Sequence, residues 1–120
     1  MRFANFSQKP INKKNIGAGL SRNKGIRFAN GKYIAFCDAD DLWHKKKLEL
    51  QISFMKQKKI NFCHSSYKII NNFGKTLGHF KIEKKLNYDL LLKSCDIATS
   101  SVVINKNILK KNFCFSSFIT

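Results

Sequence analysis

Acidic side chains are scarce in this sequence. Seven Asp and Glu stand against 23 Lys and Arg among 120 residues, which gives a formal net charge of +16. The sequence also has a single Pro, no Cys-x-x-Cys pair and no apolar run approaching the roughly 18 residues that a membrane helix needs. Residues 1–14 mix basic residues with isolated Phe and do not resemble a secretory leader. These absences argue against a zinc ribbon and a membrane span.

Cysteines occur at positions 37, 63, 95 and 114, separated by 26, 32 and 19 residues. Cys37 and Cys63 lie in apolar runs typical of strands, so we expect buried free thiols in a reducing cytosol; a disulfide frame or a zinc site is the alternative. With 43% apolar residues and 11 Phe, a chain of this length can bury a core, and it is short enough to be one domain.

The basic excess comes almost entirely from lysine. Lys outnumbers Arg 20 to 3, and the lysines are spread along the whole chain. Specific nucleic-acid modules favour Arg and cluster their charge on one face, so we expect no specific nucleic-acid partner. Attraction to anionic lipid head groups fits the excess better, and compositional drift is the remaining account.

Apolar periodicity and turn residues divide the chain into short elements. They predict helices over residues 18–30, 45–58 and 87–93, strands over residues 32–37, 60–65, 66–70, 76–82 and 101–104, and a helical turn over residues 106–111. Gly31 is the expected left-handed stop of the first helix, and residues 71–74 form a turn between two strands. This alternation predicts an α/β fold, whose ligands bind outside the carboxyl ends of the strands.

Two of these elements carry specific expectations about burial. Residues 33–37 are apolar without polar alternation, which is typical of a strand covered on both faces of a parallel sheet. In the helix over residues 45–58, a stripe for the core is formed by Leu48, Ile52 and Met55 and widened by Leu50 and Phe54.

Three of the seven acidic residues stand together directly after the apolar strand 33–37. They are Asp38, Asp40 and Asp41. Carboxylates crowded at one strand end repel one another, and a divalent cation, or a phosphate bridged through that cation, relieves the repulsion. This loop is the strongest candidate for a functional site.

The motifs around this loop follow a known pattern. They read Asn15-x-Gly17, Ser21-Arg22-Asn23-x-Gly25-Ile26, Ala29-x-Gly31-x-Tyr33-Ile34-x-Phe36, Asp38-Ala39-Asp40-Asp41-x-Trp43 and Lys47-Leu48-Glu49-x-Gln51. In this order they resemble the family 2 glycosyltransferases, an inverting family on the GT-A fold. Ser66-Tyr67, Gly74 and the run Thr99 to Ile104 fit the same pattern more weakly, so the resemblance covers nearly the whole chain.

The resemblance implies a partial GT-A sheet with flanking helices and a nucleotide-sugar site. It implies donor-binding roles for Arg22, Asp38, Asp40 and Asp41, with Asp40 and Asp38 holding Mg²⁺ or Mn²⁺. The implied partners are a nucleotide-diphosphate sugar and a sugar or lipid-linked acceptor, and the implied process is synthesis of cell-surface polysaccharide, lipopolysaccharide or other glycans. It also implies a cytoplasmic protein, with peripheral contact at the inner face of an anionic membrane.

Several of these residues have simpler interpretations. Asp41 is equally well explained as the N-cap of the following helix, and Arg22 as a solvent-facing helix residue. Asn15 and Gly17 either favour an anion at the helix N-terminus or serve as turn and cap.

Four further polar or aromatic residues have structural interpretations. We interpret Trp43 as packing behind the loop, Glu49 and Gln51 as helix-surface or hydrogen-bonding residues, and His64 as structural, since no second metal ligand lies at a suitable spacing.

The sequence also departs from the family pattern. The strands that precede the matched region in the family, and the glutamate-aspartate pair that supplies its catalytic base, have no match, so no residue is assigned a catalytic role. We therefore expect residues 1–120 to be the central segment of a glycosyltransferase domain, inactive alone. A non-functional remnant and a basic RNA- or membrane-binding module are the alternatives. A haloacid-dehalogenase-type phosphatase fits less well because Leu42 replaces the Thr or Val of that motif.

Overall fold

The computed structural model describes residues 14–82 and 97–109, and the predicted helix over residues 87–93 lies outside them. The elements are α1 (Ala18–Phe28), β1 (Tyr33–Ala35), α2 (Lys47–Lys58), β2 (Phe62–Cys63), β3 (Tyr67–Ile70), β4 (Thr76–Phe80) and β5 (Val103–Asn105), with short 3-10 turns at Thr99–Ser101 and Lys106–Ile108. This mixture of helices and small sheets is consistent with a partial GT-A fold.

The described residues divide into two compact units, residues 14–34 with 105–109 and residues 35–82 with 97–104. The first unit contains α1. The second contains the acidic loop, α2 and the β3–β4 hairpin.

Helix α1 begins after Gly17, whose φ of 81° is favourable for glycine. The Asn15 side chain accepts a hydrogen bond from the Gly17 amide at 3.0 Å, so both residues serve the turn and cap role. The helix ends at Phe28 because Ala29 adopts an extended conformation. The carbonyl of Ala29 then accepts a hydrogen bond from the Lys106 ammonium.

The expectation that Gly31 stops α1 in a left-handed conformation is therefore wrong. Helix α1 ends before it, and Gly31 has no positive φ. The neighbouring Lys32 carbonyl accepts a hydrogen bond from the Lys106 amide at 2.8 Å, so this segment is held by a bond to a distant part of the sequence.

Helix α2 presents a narrower apolar face than its sequence predicts. It buries Gln51, Ile52 and Met55, and Lys59 ends it in a left-handed conformation. Leu50 and Phe54 are 61% and 46% exposed, so the prediction that they widen the core stripe is wrong. At 100° per residue, both lie well away from the direction of Ile52.

One sheet has the strand order β1-β5-β2, and β2 pairs antiparallel with β5 through Phe62↔Ile104 and Cys63↔Val103. Val103 is completely buried there. The second sheet is the antiparallel hairpin β3–β4, and its turn at residues 71–74 is confirmed. The Asn71 side chain accepts hydrogen bonds from the amides of Phe73 and Lys75 at 3.0 and 2.9 Å, and Gly74 has a φ of 79°.

Strand β1 is shorter and less covered than predicted. Of the apolar run 33–37, only Tyr33–Ala35 is strand and only Ile34 is buried. The last two residues, Phe36 and Cys37, already belong to the loop that follows. Across residues 14–82 and 97–109, no helix is both long and apolar enough to cross a bilayer.

The first prediction concerns the core contact of α2. Met55 is 1% exposed, whereas Phe54 beside it is half exposed. Met55→Ala is expected to lower the free energy of unfolding by about 2–5 kcal/mol, because it leaves a cavity. Phe54→Ala is the control and should change it far less. Urea unfolding followed by circular dichroism measures both, and equal effects would contradict the assigned face.

Candidate functional site

The acidic residues occupy a tight turn in the compact unit of residues 35–82 with 97–104. The amide of Asp41 donates to the carbonyl of Asp38 at 3.1 Å, and residues 39 and 40 form the corner of the turn. Asp38 is half-buried, whereas Asp40 and Asp41 are exposed. The turn therefore presents at least two carboxylates to solvent within two residues.

The turn is anchored to a distant segment through Ser100. The Ser100 hydroxyl accepts a hydrogen bond from the Asp38 amide at 3.0 Å, and the Ser100 carbonyl accepts one from the Trp43 indole at 3.1 Å. Ser100 is buried, with 8% of its surface exposed. Ser100 thus holds the beginning of the acidic turn through the amide of Asp38 and the segment after the turn through the indole of Trp43.

The adjacent serine is held in the same way. Ser101, 4% exposed, donates its hydroxyl proton to the Ala98 carbonyl at 2.6 Å and accepts a hydrogen bond from the Gln51 side-chain nitrogen at 2.9 Å. Gln51 is buried, so it is a hydrogen-bonding residue and not a helix-surface residue. The sequence analysis gave neither serine a role in the site. The only sign of one in the sequence is the run of small hydroxyl residues Thr99-Ser100-Ser101 before an apolar strand.

Lys47 packs its ammonium group on Trp43, the tryptophan that follows the acidic turn. Its ammonium nitrogen lies 4.6 Å from the centre of the Trp43 ring, a geometry suited to a cation–π interaction. That nitrogen is buried and has no hydrogen-bond partner among the atoms that the structure describes. Burial lowers the pKa of Lys47, opposed by the nearby thiols of Cys63 and Cys37.

The exposure of Cys37 differs from the prediction. We expected a buried thiol, but Cys37 is exposed, because the chain has left the strand before reaching it. Its sulfur lies 3.7 and 3.8 Å from the carbonyl oxygens of Asp38 and Asp41. The pKa of the Cys37 thiol is raised, mainly by partial desolvation and to a smaller extent by the negative charges of Asp41 and Asp38. The positive charge of Lys47 lowers it.

The other described cysteine, Cys63, is partly buried and also free, and positions 95 and 114 lie outside the described residues. His64 is partly buried beside the Phe62 ring, and burial lowers its pKa. This environment agrees with a structural interpretation of His64.

The interpretation of Asp41 as a helix N-cap is wrong. Helix α2 begins at Lys47, its N-cap is Lys46, and no side chain caps it. The segment between the acidic turn and α2 instead contains Trp43 and a second turn in which the Lys47 amide donates to the His44 carbonyl. Asp41 is therefore available to a ligand.

Arg22, the remaining residue predicted to bind the nucleotide-sugar donor, lies in the other compact unit. Arg22 belongs to α1 and is partly buried, so it is not a simple solvent-facing arginine. The structure brings Asp38, Asp40 and Asp41 together in one turn, and the role of Arg22 stays a prediction.

The carboxylates of the acidic turn suit an open cation site. Within residues 14–82 and 97–109, no three His, Cys, Asp or Glu side chains are grouped to hold a metal ion. Mg²⁺ commonly takes one or two carboxylates and completes its shell with water and substrate phosphate oxygens. Exposed carboxylates on a rigid turn fit that arrangement and do not form a closed protein cage.

Comparison with known proteins gives a consistent result. The family model described as Glycosyl transferase family 2 matches residues 9–113. A UDP-Glc:alpha-D-GlcNAc-diphosphoundecaprenol beta-1,3-glucosyltransferase of Escherichia coli is 42% identical over 93 residues, covering 78% of this chain and 36% of that protein. A second Escherichia coli enzyme of the same description is 40% identical over 94 residues, covering 78% and 37%.

A third relative is a Bacillus subtilis glycosyltransferase provisionally assigned to teichuronic acid biosynthesis. It is 37% identical over 94 residues, covering 78% of this chain and 37% of that protein. The chain thus spans little more than a third of the length of these relatives. No solved structure matches it significantly.

The second prediction tests the anchor of the turn. Ser100→Ala removes the acceptor of the Asp38 amide, and we expect it to lower the free energy of unfolding by about 1–3 kcal/mol. Hydrogen exchange at the Asp38 amide should become faster. Ser53→Ala, on the exposed surface of α2, is the control. Unchanged exchange at Asp38 in the Ser100 variant would contradict the anchoring role.

The third prediction concerns the thiol beside the turn. Because the pKa of Cys37 is raised, less thiolate is present near neutral pH, and alkylation should accelerate only at a higher pH than for an ordinary thiol. Asp41→Asn removes a repelling charge and should speed alkylation of Cys37 at a fixed, mildly alkaline pH. Peptide-resolved mass spectrometry after iodoacetamide treatment measures the rate. Glu49→Gln is the charge-matched control, and an equal acceleration there would refute the assigned cause.

Proposed function

Since the chain belongs to glycosyl transferase family 2, we propose that its acidic turn forms the metal and diphosphate part of a nucleotide-sugar site. Asp40 and Asp38 would hold a divalent cation, Mg²⁺ or Mn²⁺, and Asp41 and Arg22 would contact the donor. The observation that supports this most directly is the buried Ser100 anchor, which fixes the turn while Asp40 and Asp41 stay exposed.

The bound cation would supply Lewis-acid stabilisation of the leaving nucleoside diphosphate. The contribution of the chain is positional. A turn closed by the Asp41–Asp38 backbone bond and fastened at Ser100 would hold the backbone that carries the carboxylates before the ligand arrives. Preorganised charges need no rearrangement when the ligand binds, which favours binding and transition-state stabilisation.

The identity of the substrates is proposed from the relatives. Two of them are named for UDP-Glc and for an acceptor on diphosphoundecaprenol, which is a lipid. We infer a nucleotide-diphosphate sugar, with UDP as the nucleotide to test first, and a lipid-linked acceptor for a surface polysaccharide or related glycan. Such an acceptor would bring this basic chain to the cytoplasmic, anionic surface of a membrane as a peripheral protein. No residue of the chain is assigned as the catalytic base.

The fourth prediction is a binding experiment on this site. In the presence of Mn²⁺, UDP is expected to bind the 120-residue chain, and Asp40→Asn should weaken the Mn²⁺-dependent affinity about tenfold or more, because a charged ligand contact is lost. Isothermal titration calorimetry with UDP, with and without Mn²⁺, measures this.

Glu49→Gln is the matched control, since it removes one negative charge from an exposed position of α2. It should leave the Mn²⁺-dependent affinity unchanged. Identical titrations for wild type and Asp40→Asn would count against the acidic turn as a metal-diphosphate site.

A further inference from the structure

The β3–β4 hairpin exposes an unusual amount of apolar surface at its tip. Phe73 in the turn is 94% exposed, and Leu77 in β4 is 64% exposed. Ile69 and Ile70 at the end of β3 are 52% and 40% exposed. A single exposed apolar residue is ordinary, but four within nine positions of one hairpin leave much apolar surface near its tip in contact with water.

The hairpin is well formed although little of it is buried. Asn71 ties the turn together through its side chain, and the rings of Tyr67 and Phe80 stack at the base, with centres 5.0 Å apart and planes inclined by 12°. Among the described elements, β3 and β4 make their main contacts with each other. A two-stranded hairpin alone is marginal in water, so a surface that covers its apolar tip would stabilise it.

The charge along this hairpin is of one sign. Lys75 lies next to the turn, whereas Lys68 and Lys81 lie toward the base of the strands, and all three are exposed. No Asp or Glu occurs between Glu49 and Glu83 in the sequence. A basic hairpin with an apolar tip complements a surface that is both hydrophobic and anionic.

We propose that the hairpin tip inserts into the interfacial region of an anionic lipid bilayer. Phe73, Ile70 and Leu77 enter the boundary between head groups and acyl chains, Lys75 beside the turn contacts the lipid phosphates, and Lys68 and Lys81, farther along the strands, add electrostatic attraction to the anionic surface. Apolar burial and attraction to anionic lipids together set such affinities. This inference rests on the peripheral membrane contact proposed above and assigns the surface that makes it.

Two other occupants are less consistent with the same residues. Single-stranded RNA would need free aromatic faces and favours Arg, but Tyr67 and Phe80 stack on each other and residues 50–82 contain no Arg. A second copy of the chain would bring the lysines of two hairpins together and suffer like-charge repulsion.

The test is co-sedimentation of the full 120-residue chain with vesicles at low salt. The wild-type protein should bind phosphatidylglycerol-containing vesicles and not pure phosphatidylcholine vesicles. Phe73→Ser should lower the partition coefficient roughly ten- to a hundredfold, because a large apolar side chain no longer leaves water. Leu42→Ser is the matched control: Leu42 is 80% exposed but follows the acidic turn and does not belong to the hairpin, so its loss should not change the partition coefficient.

The charge contribution has its own matched pair of variants. Changing Lys68, Lys75 and Lys81 to Gln should lower the partition coefficient by about fivefold per lysine. Changing the exposed lysines 14, 45 and 46 to Gln alters the net charge equally and should lower it far less. Circular dichroism confirms that each variant is folded.

A gain-of-signal measurement covers the case in which Phe73→Ser misfolds. The chain has one tryptophan, Trp43, so Phe73→Trp adds a single reporter. Brominated phosphatidylglycerol should quench the added fluorescence and leave that of the wild-type Trp43 unchanged. Absence of quenching while the protein is bound would overturn the assignment.

The outcomes separate the linked proposals. If the wild type binds anionic vesicles but Phe73→Ser binds equally well, the hairpin assignment is wrong and the peripheral contact stands. If the wild type binds no vesicle, both are wrong, while the UDP titration still decides the donor site. Lipid-independent self-association abolished by Phe73→Ser, or Phe73-dependent binding to polyuridylate in place of vesicles, would overturn the bilayer as the partner.

Discussion

The arrangement of the candidate site depends on one hydrogen bond, from the Asp38 amide to the hydroxyl of the buried Ser100. This bond joins the acidic turn to the 3-10 turn that leads into β5. The Ser100 carbonyl adds Trp43, and Trp43 in turn supports the Lys47 ammonium. Turn, tryptophan and lysine are therefore positioned from a single buried residue.

The lysine packed on Trp43 differs from the many surface lysines of this chain. Its ammonium is buried against the aromatic ring, and burial lowers the pKa of Lys47. A buried charge is screened less by salt than a surface ion pair, so this contact should depend less on ionic strength than charge pairs at the surface do.

Local patterns predicted the elements well, and tertiary contacts explain the differences. The periodicity around Ile52 and Met55 identified α2, and the sequence order of Asn71 and Gly74 identified the hairpin turn. The early end of α1 could not be predicted because it is accompanied by hydrogen bonds from Lys106, far along the sequence. The exposure of Cys37 follows from where the chain leaves the β ladder, which an unbroken apolar run does not reveal. Motif spacing located the acidic residues, whereas the anchoring role of Ser100 came only from the structure, because a run of hydroxyl residues before a strand does not reveal which distant groups it will bond.

The sequence separation of two contacts implies an order of folding. The Asn71 side chain bonds to the amide of Lys75, four residues away, whereas the Asp38–Ser100 bond joins residues 62 positions apart. Closing a long loop is entropically slower than closing a short one, so local hairpins precede distant pairings. The β3–β4 hairpin should thus form while the acidic turn is still without its anchor. Early in folding, the molecule would already have the surface proposed to contact a bilayer, and not yet the turn proposed to bind a metal and diphosphate.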